Sequence, residues 1–403
     1  MPHPHAQDVA PAVRRAEERR ALAVAGGAHM LHDGYTDMVY VLLPVWQAEF
    51  GLTYAAVGLL RSLYAGVMAG LQIPAGLLAE RLGAGPVLAL GTALAGLGYV
   101  LAGASTGLLV LGLALASSGL GSSTQHPLAS SLVAQAFEGP RSLKAIGTYN
   151  FTGDLGKMAL PLVAALLLTV TTWRATVVIL GAFGVLAAIA ILVFAPRPTA
   201  PTACPAGAAA PGSDRPVAGP AGFRLLVCIA LVDSATRMAF LTFLPFLLTA
   251  KQADVATIGF AFSLVFAGGA AGKLVCAFVG ARIGVFATVL ATEILTTATI
   301  LLLLPLPLAA GLVLLPLIGV ALNGTSSVLY GSVPVLVAPA RRARAFGLFY
   351  TATIGSGAAS PVLFGVIGDA IGLRPVLVLI AGFALLTVPL AVALRPALPA
   401  PVE

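Results

Sequence analysis

The chain has 403 residues, 59% of them hydrophobic and only 9% charged, with a mean hydropathy of +1.00. A soluble domain carries about 25% charged residues, so a water-soluble enzyme or binding domain is excluded and a chain threaded repeatedly through a bilayer is indicated. The net charge of +7 comes from basic residues scattered among loops rather than gathered on one face, which removes nucleic acid as a partner.

Residues 1–21 are polar and charged and read as a cytoplasmic tail with a short surface helix. They are not a cleavable signal peptide, because a full-length span follows them. Segments of roughly 20 mostly apolar residues, each long enough for a ~30 Å hydrocarbon core, then recur at 22–46, 55–80, 86–105, 108–135, 144–170 and 175–195. Residues 196–222 are rich in Pro, Ala and Gly and read as a flexible cytoplasmic linker. A second series follows at 223–249, 256–280, 285–306, 310–337, 344–369 and 375–395, before a cytoplasmic tail at 397–403. The expected fold is therefore an all-α membrane protein of twelve transmembrane helices. Its domains are two pseudo-symmetric six-helix bundles, 22–195 and 223–396.

The two series align on each other at a shift of about 200 residues. Lys144-Ala145-Ile146-Gly147 falls on Arg344-Ala345-Phe346-Gly347, Pro161 on Pro361, Arg174 on Arg374 and Asp33 on Asp233. The stretch from Gly58 to Gly83 tracks Gly259 to Gly284 with one residue of drift, placing Arg81 on Arg282. A duplicated polytopic protein of this size is most simply a transporter that rocks one half against the other around a site at mid-membrane. With the termini inside, cytoplasmic segments hold fifteen Lys and Arg residues and outside loops only Arg174, Lys251 and Arg374, which predicts cytoplasmic termini. Cys204, Cys228 and Cys276 have no paired or metal-ligand spacing, so no disulfide is expected.

Nine ionisable residues fall well inside the spans: Asp33, Asp37, Arg61, Asp154, Lys157, Asp233, Arg237, Lys273 and Glu293. Each costs roughly 2.5–3.5 kcal/mol at a helix centre, so such residues face a cavity or a partner. On the first span His29, His32, Asp33, Thr36, Asp37 and Tyr40 form one helical stripe. At 1.5 Å per residue Asp33 lies about 16 Å along the span, near mid-membrane. Asn150, Asp154, Lys157 and Pro161 share a stripe on the fifth span, and Asp233 and Arg237 lie one turn apart on the seventh. Structural readings stand beside the functional one. Asp154 with Lys157 and Asp233 with Arg237 also read as intrahelical pairs that make a polar face tolerable. Arg61 reads as a snorkelling side chain, Glu293 as structural, and His126 before Pro127 as a hydrogen bonder at a kink.

These residues resemble the major facilitator superfamily. Gly76-Leu77-Leu78-Ala79-Glu80-Arg81-Leu82-Gly83 is similar to its Gly-x-Leu-Ala-Asp-Arg-x-Gly signature, with Glu80 for the usual aspartate, which implies a gating role for Gly76, Glu80, Arg81 and Gly83. Ala28-His29-Met30-Leu31-His32-Asp33, Leu43-Pro44, Glu49-Phe50-Gly51-Leu52-Thr53, Val57-Gly58 and Gly119 to Pro127 resemble the fosmidomycin-resistance group of drug exporters. That resemblance implies export of a drug or metabolite against protons, with His29, Asp33 and His126 at family positions. The Gly-Pro antiporter motif of the fifth span and the fourth-span arginine of general drug antiporters are missing.

The leading reading is a proton-coupled secondary transporter in the cytoplasmic (inner) membrane, exporting a small, anionic organic compound by alternating access. Asp33, Asp37, His29 and Asp154 are its expected proton carriers, since burial and moving basic partners shift a carboxyl between holding and releasing a proton. Substrate contacts fall to His32, Tyr40, Arg61, His126, Tyr149, Asn150, Lys157, Asp233, Arg237 and Lys273. A second reading is a transporter of divalent metal or metal chelate that uses His29, His32, Asp33 and Asp37. A third is a transporter-like membrane sensor. No nucleophile–base constellation, Walker A sequence or His-Glu-x-x-His motif marks an enzyme. The expected partners are a small-molecule substrate, protons and lipid, with no cofactor, and the protein is expected to be a monomer.

Overall fold

The structure is a computed structural model that describes residues 11–137, 140–196, 220–338 and 341–398. Most of the expected linker at 196–222, with Cys204, lies outside the described residues, as do residues 1–10 and most of the tail at 397–403. Helix makes up 91% of the described residues, and strands are absent among them. In chain order the helices are α1 (Pro11–Phe50), α2 (Tyr54–Gly70), α3 (Gln72–Leu82), α4 (Ala84–Gly103), α5 (Leu108–Ser122), α6 (Gln125–Ala136) and α7 (Pro140–Val170). They continue as α8 (Trp173–Phe194), α9 (Pro220–Ala250), α10 (Val255–Leu303), α11 (Leu308–Leu336), α12 (Arg342–Ile371), α13 (Leu373–Ala384) and α14 (Thr387–Leu394). From Pro11 onward the expected N-terminal tail is the first part of α1 rather than a separate surface helix.

Three helix breaks have one chemical cause. Pro74, Pro127 and Pro389 each stand at the third position of the helix that resumes after the break: α3, α6 and α14. Proline supplies no N–H to the preceding turn and clashes with it, but fits the first turn of a new helix. The α2–α3 break bends the chain by 43°. Among the described residues ten segments are long and apolar enough to cross a membrane, and the bent α2–α3 pair makes eleven. α1 is long enough but too polar for that test, because His29, His32, Asp33 and Asp37 interrupt it. With α1 the count reaches the expected twelve.

The sequence repeat is visible in the backbone. Gly83 ends α3 with φ 91 and ψ 149, and Gly284 breaks α10 with φ 82 and ψ 164. Both sit in the positive-φ region that L side chains avoid, at matching points of the two series.

The halves meet through α2 with α12, α7 with α10, and α1 with α9. The contacts concentrate at one end. At the start of α2 the N–H groups of Tyr54 and Ala55 donate to the two carboxylate oxygens of Asp369, on the last turns of α12, at 2.6 and 3.0 Å. Asp369 thus caps a helix of the other half, where a negative charge also meets the positive helix end. Ser263 on α10 donates to the Met158 carbonyl on α7 at 2.6 Å. Below this seam lie the fully buried Tyr40, Leu42, Leu43, Phe240, Phe243 and Phe262. At the opposite end the first turns of α7 and α12 are open on most sides, with Lys144, Gly147, Asn150, Arg344, Gly347 and Tyr350 exposed. The molecule is closed at the 50–54 end and open at the other.

Removing the Asp369 cap in Asp369→Ala costs about 1–2 kcal/mol of the closed state, which is about a 5–30-fold shift toward opening. A cysteine at Ser62, whose buried hydroxyl has no partner, is expected to react that much faster with an impermeant maleimide added from the 50–54 side. An unchanged labelling rate would show that this contact does not hold the seam.

Candidate functional site

The polar stripe of α1 splits into two functions. His32 turns into the N-terminal bundle, where its Nδ1 meets the Ser122 hydroxyl at 3.1 Å and its Nε2 the Thr92 hydroxyl at 2.9 Å. Both ring nitrogens are therefore used by the fold. One residue on, Asp33 faces the space between the halves and collects three basic side chains. His29 Nε2 lies 3.2 Å from its Oδ2, Lys157 Nζ 3.4 Å from the same oxygen, and His126 Nε2 3.7 Å from Oδ1.

Around this centre the supporting contacts are tight. The His29 ring stacks on Tyr149 with centroids 4.3 Å apart, and its Nδ1 lies 2.9 Å from the Tyr149 carbonyl oxygen. Gln125 donates to the Tyr149 hydroxyl at 3.0 Å. Gly153 of α7 faces the His29–Asp33 contact, and a Cβ there would lie 2.8 Å from Asp33 Oδ2. Only glycine lets α7 approach closely enough for Lys157 to reach Asp33.

The expected intrahelical pairs do not form. Lys157 pairs with Asp33 of α1, whereas Asp154 receives a 2.5 Å hydrogen bond from Lys273 of α10, across the two halves. On α9, Asp233 and Arg237 form no ion pair within 4.0 Å. Ser326 of α11 bridges them instead, accepting from Arg237 Nη1 at 3.1 Å and donating to Asp233 Oδ2 at 3.3 Å. Helical phase explains the difference. Partners three or four residues apart can meet, but a neighbouring helix offers a shorter reach when it packs closely.

Exposure separates Lys157, Lys273 and His126 from the carboxylates they face. The Lys157 and Lys273 side chains are 32% and 42% exposed and that of His126 43%, whereas those of Asp33 and Asp154 are 10% and 13% exposed. Ammonium and imidazole groups thus form the accessible wall, with carboxylates behind them. Nearer the closed end, about 10 Å in from Tyr54 by helical rise, Arg61 is buried. Its Nη2 donates to the Tyr40 hydroxyl at 2.9 Å, and Tyr40 in turn stacks on Phe262 of the other half at 5.4 Å. Arg61 Nε and Nη1 have no hydrogen-bond partner, so this residue does not snorkel to the interface. Asp37 is buried among the charges of Lys157, Arg61 and Arg237, and Asn150 is exposed. Glu80 and Arg81 are exposed on α3 at the open end, Gly76 lies one turn before Glu80, and the Gly83 N–H donates to the Ala79 carbonyl at 2.8 Å.

Sequence reasoning read Glu293 as structural and passed over several neutral contributors. Glu293 of α10 is buried, with the Asp233 and Arg237 charges acting on it. Gln125, Ser122, Thr92 and Ser326 support the site as neutral residues, which carry no cost that would mark them in a span. The His29, Asp33 and His126 ligand atoms lie within 4.8 Å of one another. His32 is turned away from them, and the Lys157 ammonium occupies the approach to Asp33, so the four-residue cation cage of the metal reading does not assemble.

A helical bundle in two halves, closed at one end around charged groups at mid-depth, defines a membrane transporter. The chain matches the Major Facilitator Superfamily over residues 26–225 and again over 225–403, and it belongs to that family; it is a multi-pass transporter and not an enzyme. Solved structures of a bacterial homologue of the human lysosomal transporter Spinster have the same fold. The inward-facing, unoccupied form superposes with a TM-score of 0.77 at 17% identity, covering 96% of this chain and 99% of that one. The inward-facing, occupied form gives 0.77 at 16% identity, covering 94% and 98%. No curated protein sequence matches the chain.

The two histidines of the stripe are expected to differ in mutants. His32→Ala removes two buried hydrogen bonds and opens a cavity between the Ser122 and Thr92 hydroxyls, which keep only the Tyr64 hydroxyl and the Leu88 carbonyl, and is expected to lower stability by about 2–4 kcal/mol. His126→Ala, on the accessible wall, is expected to cost under about 1 kcal/mol. Thermal unfolding of the two variants in detergent checks this; equal losses would contradict the division of the stripe.

Proposed function

We propose that the protein carries a small organic anion across the cytoplasmic membrane by alternating access, coupled to protons. The observation that carries this reading is the order of charge around α7: Lys157, Lys273 and His126 reach the accessible surface while Asp33 and Asp154 lie behind them. A solute entering from the open end meets cationic donors on both halves. Lys157 comes from α7 and Lys273 from α10, so an anion bridging them engages both halves at once. Arg61 and Arg237 extend the basic lining toward the closed end.

Hydrogen-bond logic supports a bound proton. A carbonyl oxygen only accepts, so the contact between His29 Nδ1 and the Tyr149 carbonyl puts hydrogen on Nδ1. His29 Nε2 and Asp33 Oδ2 are then two acceptors 3.2 Å apart, and a proton taken up between them turns the contact into a hydrogen bond. The His29–Asp33 pair is our assignment for the coupling proton, with Asp37 and Asp154 as further carboxyls within reach of Lys157.

The sequence assigns fifteen basic residues to the segments on the side of the termini and three to the opposite loops, which supports cytoplasmic termini and an open end that faces the cytoplasm. Likeness to the fosmidomycin-resistance exporters supports efflux as the direction; the pairing of charges bears on direction separately.

Replacing Lys157 or Lys273 by Gln removes a charged hydrogen bond worth about 1.5–3 kcal/mol. Each variant is expected to bind the transported anion at least about tenfold more weakly, read from counterflow exchange of the labelled anion in proteoliposomes. Wild-type exchange in both variants would contradict the anion site.

A further inference from the structure

An anionic cargo has a thermodynamic consequence for the direction of transport, so the direction assigned to this protein rests on the anion reading. Two carboxylates and the charges around them decide it. Asp33 of α1 is faced by His29 and Asp37 of its own helix, by His126 of α6 and by Lys157 of α7. Asp154 of α7 is faced by Lys273 of α10 and by Lys157 one turn along its own helix. Arg237 of α9 and Asp37 also act on Lys157.

With both carboxylates ionised, each ammonium group already has its counter-charge. An incoming anion must then draw Lys157 from Asp33, or Lys273 from Asp154, and leave a buried carboxylate unanswered in a low-dielectric site, which is costly. If the carboxyl takes up a proton, the penalty vanishes and the ammonium lacks an anion. Protonation therefore tightens anion binding, and by reciprocity the bound anion tightens proton binding by the same factor. The His29–Asp33 contact shows how this is arranged: a proton shared between them discharges Asp33 and leaves Lys157, only 3.4 Å away, without a full counter-charge and accessible from the cavity.

The same balance governs which forms can rock. The empty site, with both pairs closed, leaves neither Asp33 nor Asp154 unanswered. Nor does the site loaded with anion and proton. A site holding one without the other leaves a charge unanswered at mid-membrane, where it is disfavoured. A cationic cargo would reverse the linkage, because it would compete with protons for Asp33 and Asp154 and be exchanged for them.

We infer that anion and proton bind together and cross in the same direction, so that an inward proton gradient drives the anion inward. The protein is then a cotransporter, opposite in direction to the efflux that its resemblance to drug exporters implies.

The sign of proton movement on binding tests this. Full-length protein in detergent, in weakly buffered solution with a pH-indicating dye, receives sodium lactate, benzoate or succinate, and separately ethidium. All are adjusted to the bath pH and corrected against detergent alone. The expected result is proton uptake with an anion that binds, and an affinity that falls as pH rises. In Asp33→Asn the uptake is expected to be lost while binding persists and no longer weakens with pH. Asp154→Asn reads the same linkage at the second pair should the first variant fail to fold, and the wild-type sign needs neither. Proton release on anion binding would overturn cotransport and leave the anion reading standing. Binding by none of the three anions, or proton release on ethidium binding, would overturn the anion reading itself.

Discussion

The arrangement of the cavity depends on one constraint: a charge held in the hydrocarbon layer must be answered by another. Asp33 meets that constraint with a lysine and two histidines drawn from α1, α6 and α7. It thereby fixes how these helices pack, since Gly153 must let α7 close on α1 for Lys157 to arrive. Asp154 meets it with Lys273 of the opposite half. The second solution has a mechanical consequence the first lacks, because it ties the halves together across the cavity. Any solute or proton that breaks the pair changes how firmly the halves are held at mid-depth.

The seam at the closed end uses a different chemistry. There a carboxylate from α12 satisfies the free N–H groups at the start of α2, and a serine on α10 reaches a carbonyl on α7. These contacts are few and polar, set over a band of buried aromatic and aliphatic side chains. A seam of that kind can part and re-form, since each polar group regains water when it opens, whereas the apolar band returns the halves to contact. Under the alternating access proposed above, rocking exchanges this seam for one at the other end, where Glu80 and Arg81 are exposed on α3.

The twelve spans were legible because hydrophobic length is a direct signal, and their breaks fell where proline dictates. The repeat was legible too, down to Gly83 and Gly284, since a positive φ demands glycine in both halves. That charged residues lie buried within the spans was also readable, as a buried charge is costly wherever it pairs. Their partners were not. Helical phase placed His32 on the stripe with Asp33, yet whether a ring faces Thr92 and Ser122 or the cavity depends on the rotation of α1 against α4 and α5. Likewise Asp154 and Lys157 are well spaced for each other, and only the packing of α7 against α1 and α10 sends them elsewhere. Asp369 went unnoticed because a carboxylate near a helix end looks like ordinary solvated surface.

Coupling of charge pairing to solute movement is the central claim, and flux under an imposed gradient tests it most directly. Proteoliposomes loaded at alkaline pH would be diluted into acidic medium with the labelled anion, and its entry followed with and without an ionophore that collapses the gradient. Cotransport predicts transient accumulation of the anion above its outside concentration, abolished by the ionophore. Entry indifferent to the gradient, or expulsion of the anion against incoming protons, would contradict it.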